Sequence, residues 1–174
     1  MILVLSPIFI FIVVIQILTG ISPFFRQYRP GRNGQLFKMY KFTSMKTEGE
    51  IESVTSFGRF LRRTSLDELP QLLNVLRGEM SIVGPRPLLK EYLPRYTIYQ
   101  RARHQVKPGI TGLAQINGRN TSSWKESLQL DVEYVKRLSL YLDFEIMLKT
   151  VFNLFQLKKE DKNGAYQREE FLGD

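Results

Sequence analysis

Cysteine is absent from this 174-residue chain, and histidine occurs once, as His104. The first absence removes disulfides, thiolate nucleophiles and cysteine-ligated zinc or iron–sulfur sites, and it suits a reducing compartment. The second removes a histidine metal cluster and argues against a serine–histidine triad. Nucleotide-binding glycine loops are missing too: GITGLAQ lacks the G-x-G-x-x-G spacing, and no G-x-x-x-x-G-K-[ST] occurs. Repeated β-α-β patterning is lacking, which speaks against a Rossmann sheet, and there is no internal repeat or low-complexity linker. Acidic residues are in deficit, 17 against 25 lysines and arginines, for a net charge of +8. That balance, with a pI near 9.8, points to an anionic partner: nucleic acid, an acidic membrane surface or phosphorylated substrates. The length suits one domain with a buried core.

A comfortably membrane-spanning apolar run is also lacking. Met1 to Leu18 is apolar except for Ser6, Pro7 and Gln16. At ~1.5 Å per residue it reaches roughly 27 Å, short of a ~30 Å hydrocarbon core, and the part after Pro7 reaches only about 17 Å. A proline there frees a backbone carbonyl and kinks the helix, with Ser6 placed to compensate. The expectation is a segment that enters a membrane and bends back. A buried core helix is the alternative; a signal peptide is disfavoured, because no basic region precedes the run and no small-residue cleavage site follows it. Arg26, Arg29, Arg32, Lys38, Lys41 and Lys46 come only afterwards, placing the body on the cytoplasmic side. The expected organisation is a membrane helix over 1–22, a membrane-associated catalytic domain over 23–157 and a polar, loosely ordered tail over 158–174.

Within the body, Arg29 to Gly34 is turn chemistry. Leu36–Phe42 predicts a half-buried strand with Lys38 and Lys41 on one face, and the polar residues Thr43 to Ser56 predict a loop. Ser56 to Arg63 reads as a helix, followed by helix through Leu69, Leu72, Leu73 and Leu76, whose spacing predicts a core face. Leu88 to Gln105 reads as helix broken at Pro94, its tyrosines interleaved with arginines, as at a membrane interface or a single-stranded nucleic-acid site. Val106 to Asn120 carries an extended apolar piece, and Arg119 is a phosphate candidate or a solvated turn arginine. Ser122 or Ser123 caps a helix to Arg137, with Glu126 completing a capping box; its Asp131 and Glu133 are expected on a solvated face. Leu138 to Leu157 is an interfacial or core helix, with Asp143 in its first turn facing the helix dipole.

The densest chemistry lies in RFLRRTSLDELPQLLNVLRGEMSIVGPRP, Arg59 to Pro87. Asp67 and Glu68 follow three arginines, and Arg86 stands between two prolines, which forbid a helix interior or a central strand. Guanidinium forks suit phosphate oxygens. An Asp among such cations is expected to have a depressed pKa, and to attack phosphorus or hold a divalent metal. The competing reading is local: Ser65-x-x-Glu68 is a capping box, with acids favoured in a first helical turn.

Taken in order, Ser6-Pro7, FFRQYRPGRNGQLFKMYKF, FGRFLRRTSLDELPQLLNVLRGEMSIVGPRP and VKPGITGLAQINGRN resemble the bacterial sugar transferases called monotopic phosphoglycosyl transferases, over roughly Leu5 to Val151. The resemblance implies an α+β, mainly helical fold with a re-entrant helix broken at Ser6-Pro7, interfacial amphipathic helices and a few short strands. It implies that Asp67 is the nucleophile and a Mg2+ contact, that Glu68 manages the proton, and that Lys41, Arg62 and Arg86 line the phosphate site. The implied reaction moves a sugar 1-phosphate from a UDP-sugar to polyprenyl (undecaprenyl) phosphate and releases UMP. It begins glycan assembly for capsule, O-antigen, exopolysaccharide or glycoproteins, on the cytoplasmic face of the bacterial plasma membrane, with downstream glycosyltransferases as partners and no nucleic acid.

Two features depart from the family pattern: little chain precedes Ser6, so a first membrane leg is expected to be truncated, and Thr43-Ser44 stands where an arginine is usual. The alternatives are a non-catalytic membrane-attached module of the same fold and a basic nucleic-acid-binding protein.

Overall fold

The computed structural model describes residues 2–48, 51–118, 123–156 and 170–173. The fold is α+β and mainly helical, with short strands, as expected. Helix α1 (Ile2–Leu18) is helical straight through Pro7. The expected break at Ser6-Pro7 does not interrupt it, because a proline so near the N-terminus removes only one bond, to the Leu3 carbonyl, and can bend a helix without ending it. Among the described residues, no helix is long and apolar enough to cross a membrane.

Two antiparallel strands follow, β1 (Phe24–Pro30) and β2 (Leu36–Phe42), paired from Phe24↔Phe42 to Pro30↔Leu36. Phe42, with Ile12 of α1 and Leu61, forms one core cluster, against which Phe9, Phe24, Leu66 and Leu69 pack. Gln16 also ties α1 down, donating to the Thr43 carbonyl at 2.6 Å. Lys38 and Lys41 do not share a face. They are three residues apart, and strand side chains alternate with period two. Lys38 lies over the Tyr28 ring, whereas Lys41 takes the side of Phe37 and Met39, toward the acidic pair.

The expected loop after Phe42 is a second hairpin, β3 (Met45–Glu48) with β4 (Ile51–Val54). Thr43–Ser56 is polar, but its Thr, Ile and Val residues suit a pleated surface, and cross-strand pairing overrides polarity. Helix α2 (Ser56–Arg63) is capped by Thr55, which accepts from Gly58 N. A 3-10 turn, Leu66–Glu68, leads to the short helix α3 (Gln71–Leu76). Only part of the expected leucine stripe faces the core: Leu69 packs against it and Leu72 is half-buried, but Leu76 is 65% exposed and Leu73 39%, while Gln71 and Asn74 are buried. Asn74 donates to Lys38 O at 2.8 Å and accepts from Tyr40 N at 3.2 Å, so α3 docks on β2 through polar bonds that apolar spacing does not register.

Strands β5 (Ser81–Val83) and β6 (Gly109–Thr111) pair in parallel. Between them the expected broken helix is a 3-10 segment, Lys90–Arg95, then α4 (Ile98–Arg101), then a 3-10 turn, Ala102–Gln105. Helices α5 (Leu113–Gly118), α6 (Trp124–Lys136) and α7 (Leu140–Gln156) complete the fold, α6 opening with the predicted Ser123–Glu126 capping box. Val83, Leu113, Tyr134, Leu142 and Ile146 form their common core. Helix α7 packs into the core through Leu142 and Ile146, which are buried, and leaves Phe144, Val151 and Phe152 exposed. Asp143, expected to face the helix dipole, accepts from the Tyr134 hydroxyl at 2.8 Å.

Two further expectations are corrected. Asp131 is not on a solvated face: it is 4% exposed and paired with Arg103, itself 2% exposed. The tail is not wholly loose either. Phe171 is buried among Tyr92, Tyr96 and Trp124, and Glu170 pairs with Arg95 at 2.7 Å.

Candidate active site

The acidic pair is placed by what surrounds it in the chain. Leu66 and Leu69 turn into the α1–β2–α2 core, so the residues between them, Asp67 and Glu68, project from the 3-10 turn away from that core. Ser65 enters the turn with positive φ, 56°, and its side chain makes no capping bond. The expected capping box therefore does not form, because the Glu68 carboxylate is engaged elsewhere. It accepts from Lys41 Nζ at 2.8 Å and from Arg86 Nη2 at 2.9 Å, both at the same oxygen. Asp67 is held more loosely, with Lys41 Nζ 3.9 Å from its Oδ2.

Each cation is delivered by its own scaffold. The Asn74 bonds seat β2 on α3 and bring Lys41 opposite the pair. Arg62 reaches the site on α2, which lies close to the end of β2: a Cβ on Gly58 would come within 1.9 Å of Ser44 O. There Arg62 Nε donates to Ser44 Oγ at 2.8 Å, so a residue of the Thr43-Ser44 pair orients a neighbouring arginine. Arg86 follows β5, where the two chains nearly touch. Gly84 N donates to Thr111 O at 2.9 Å and Gly109 N to Pro85 O at 3.1 Å, and a Cβ on either glycine would collide with backbone. The Arg86 carbonyl then accepts from the buried Arg103 Nη2 at 2.6 Å.

Electrostatics separates the two carboxylates. Burial is the largest influence on Glu68 and opposes its charge, yet Arg86 and Lys41 together overcome it and hold the group far below the usual carboxylate range. For Asp67 burial wins, with Lys41 pulling the other way and Glu68 adding to the rise, so its pKa is raised. The expected depression of Asp67 is thereby corrected, because the cations bond to its neighbour. Glu68 in this state is an ionised acceptor that anchors two cations.

Lys41 and Arg86 also form part of the wall of a cleft of about 220 Å³, together with Arg29, Gln71, Tyr92 and Trp124. Of the expected site residues, Asp67, Glu68, Lys41 and Arg86 are brought together, Arg62 acts on Asp67 through its charge, and Arg119 lies outside the described residues. Arg29, Gln71, Tyr92 and Trp124 escaped the sequence reading. For Arg29 the signal is the hairpin register: it pairs with Phe37, on the strand face that Lys41 shares. Among the described residues no cluster of three metal-ligating side chains occurs. Asp67, with no hydrogen bond to its carboxylate among those residues, fits a Mg2+ that leans on one carboxylate and on substrate oxygens.

Comparison with known proteins places this arrangement. The family model described as bacterial sugar transferase matches residues 1–157. The chain is 46% identical over 170 residues to the uncharacterized sugar transferase EpsL of Bacillus subtilis, covering 93% of this chain and 84% of EpsL. It is 41% identical over 173 residues to the UDP-glucose:undecaprenyl-phosphate glucose-1-phosphate transferase of Escherichia coli, covering 88% of this chain but 37% of that larger protein. The exopolysaccharide production protein ExoY of Rhizobium meliloti is 39% identical over 179 residues, covering 86% of this chain and 77% of ExoY. With the family model matching residues 1–157, this protein belongs to the bacterial sugar transferase family.

Proposed function

We propose that this protein is a phosphoglycosyl transferase that moves a sugar 1-phosphate from a UDP-sugar to polyprenyl phosphate, releasing UMP. The observation that carries the reading is the inequality of the two carboxylates. Glu68 is hydrogen-bonded to Lys41 and Arg86 and held ionised, whereas the Asp67 carboxylate accepts no hydrogen bond among the described residues and is made more basic by burial beside the same cations. In the first step an Asp67 oxygen attacks the sugar-bearing phosphorus. The bridging P–O bond breaks, its electron pair leaves on UMP, and an aspartyl phosphosugar remains. In the second step an oxygen of the lipid phosphate attacks that phosphorus and the Asp67 carboxylate is regenerated. Lys41 and Arg86 face the charge that grows on phosphoryl oxygens in both steps. Bound Mg2+, with Asp67 as its protein carboxylate, would neutralise part of the diphosphate charge.

A lipid acceptor calls for attachment to the cytoplasmic leaflet, through a helix that enters and does not cross. Ile10, Phe11, Ile17 and Leu18 of α1 are exposed, an apolar surface that suits lipid. The lipid-linked product would pass to further glycosyltransferases of a surface glycan pathway.

The test is UMP release from a panel of UDP-sugars, with Mg2+, detergent and undecaprenyl phosphate. Asp67→Asn removes the nucleophile while keeping its shape, and turnover is expected to fall roughly 10³-fold or more. An Asp67→Asn enzyme with near-normal turnover would sink the reading. Silence of the native protein across the panel, with the fold intact, would favour a non-catalytic module.

A further inference from the structure

Arg29 has no place in the chemistry above, yet it shares a cleft with the two cations that do. It lies near the end of β1, and its Nη2 donates to Gln27 Oε1 at 2.7 Å. Its Nε is buried and has no hydrogen-bond acceptor among the described residues. Burial first, and then the like charge of Arg86, lower its pKa to about 10, which leaves it a cation at neutral pH. Arg86 balances its charge against Glu68; Arg29 makes no ion pair with a carboxylate among the described residues. A half-buried guanidinium in that position, facing a second one across a cleft, costs energy that an anion between them would offset. Tyr92 and Trp124 line the same cleft, their rings edge to face with centroids 5.6 Å apart, an aromatic corner whose apolar surface suits a base or a sugar ring.

We propose that Arg29 holds the phosphate of the departing nucleotide, making the far side of the cleft a nucleoside monophosphate subsite with Tyr92 and Trp124 along its wall. The inference rests on the phosphoglycosyl transferase reading and divides the donor between two anion sites. The sugar-bearing phosphorus meets Asp67 and Lys41. The second phosphorus lies toward Arg29, with Arg86 between them. When the bridging P–O bond breaks, the electron pair arrives on an oxygen of that second phosphate, and Arg29 faces the added charge.

The experiment measures UMP and uridine binding by calorimetry to the full-length native protein and to Arg29→Met and Arg29→Lys, with circular-dichroism melts as a folding control. Loss of one charged hydrogen bond is expected to raise the UMP Kd about tenfold or more in Arg29→Met, leaving uridine binding nearly unchanged. Arg29→Lys, which keeps the charge without the fork, is expected to fall between the two, and UMP should weaken as a product inhibitor in parallel. UMP binding within about twofold of the native value in folded Arg29→Met would overturn the subsite. Should Arg29→Met not fold, Arg29→Lys decides by the same comparison. The two proposals fail separately. Native turnover with Arg29-independent UMP binding removes the subsite alone, and Arg29-dependent UMP binding without sugar phosphate transfer removes the reaction alone.

Discussion

Two arginine–carboxylate pairs stand back to back in this transferase, joined through the backbone of Arg86. Arg103 and Asp131 meet at 2.7 Å with both side chains almost wholly enclosed. Arg86 and Glu68 meet at 2.9 Å, but the Arg86 side chain is 41% exposed toward the cleft. In the sealed pair every guanidinium nitrogen is engaged: Nε and Nη2 with Asp131, Nη2 again with Arg86 O, and Nη1 with the Tyr96 hydroxyl. In the open pair Arg86 spends one nitrogen on Glu68 and turns the rest of its fork to the cleft. Burial with full satisfaction fixes a position, and partial exposure leaves donors for a ligand. The sealed pair thus serves the open one, by holding the carbonyl of the residue that carries the working guanidinium.

Breaking the sealed pair should have the largest effect on stability. Arg103→Met takes the buried guanidinium away from the enclosed Asp131 carboxylate, and is expected to cost about 3–5 kcal/mol in urea unfolding. The double variant Arg103→Met/Asp131→Leu should recover most of that loss, since two apolar residues need no charge partner. Its kcat should stay low, because the Arg86 carbonyl has still lost its donor. A double variant as active as the native enzyme would show that the two pairs are independent.

The open pair should respond the other way. Glu68→Gln is expected to lower kcat/KM by about 1–3 kcal/mol in transition-state terms, as Lys41 and Arg86 lose their common charged anchor. Its unfolding free energy should change little beside that of Arg103→Met, and unfolding and steady-state kinetics on one preparation make the comparison.

The smallest effect belongs to His104, whose Nδ1 lies 3.2 Å from Gly31 O. Burial, and then the neighbouring Arg103 charge, lower its pKa from 6.5 to about 4. The folded protein keeps this ring neutral while the unfolded chain takes up a proton below 6.5. Its share of stability is therefore present above that pH and is lost as pH falls toward 4. His104→Gln should flatten the fall in melting temperature over that window, and an unchanged slope would remove His104 from the account.

Much of the site could be read from residue order because its chemistry is local. Asp67-Glu68, the arginines before them and the two prolines around Arg86 lie in one short stretch, and proline and charge act where they stand. The polar docking of Asn74 against β2 left no apolar pattern, which is why Leu73 and Leu76 were expected inside and lie outside. The depressed pKa was assigned to Asp67 because composition registers nearby cations without saying which carboxylate they bond. Asp131 on a solvated face and a loosely ordered tail were expected for a related reason: the partners of Asp131 and Phe171, Arg103 and the Tyr92–Tyr96 cluster, are distant in the chain.

What the amino-acid order determined by itself is the family, the acidic pair, the Lys41 and Arg86 cations, the apolar start and the mixed, mainly helical class. Each of these follows from residue type and short spacing. Tertiary structure alone decided that Glu68 takes the cations and Asp67 the burial, that Arg29 shares their cleft, and that Arg103 holds Arg86. Those outcomes depend on strand register, close glycine contacts and desolvation, which exist only once distant segments have packed together.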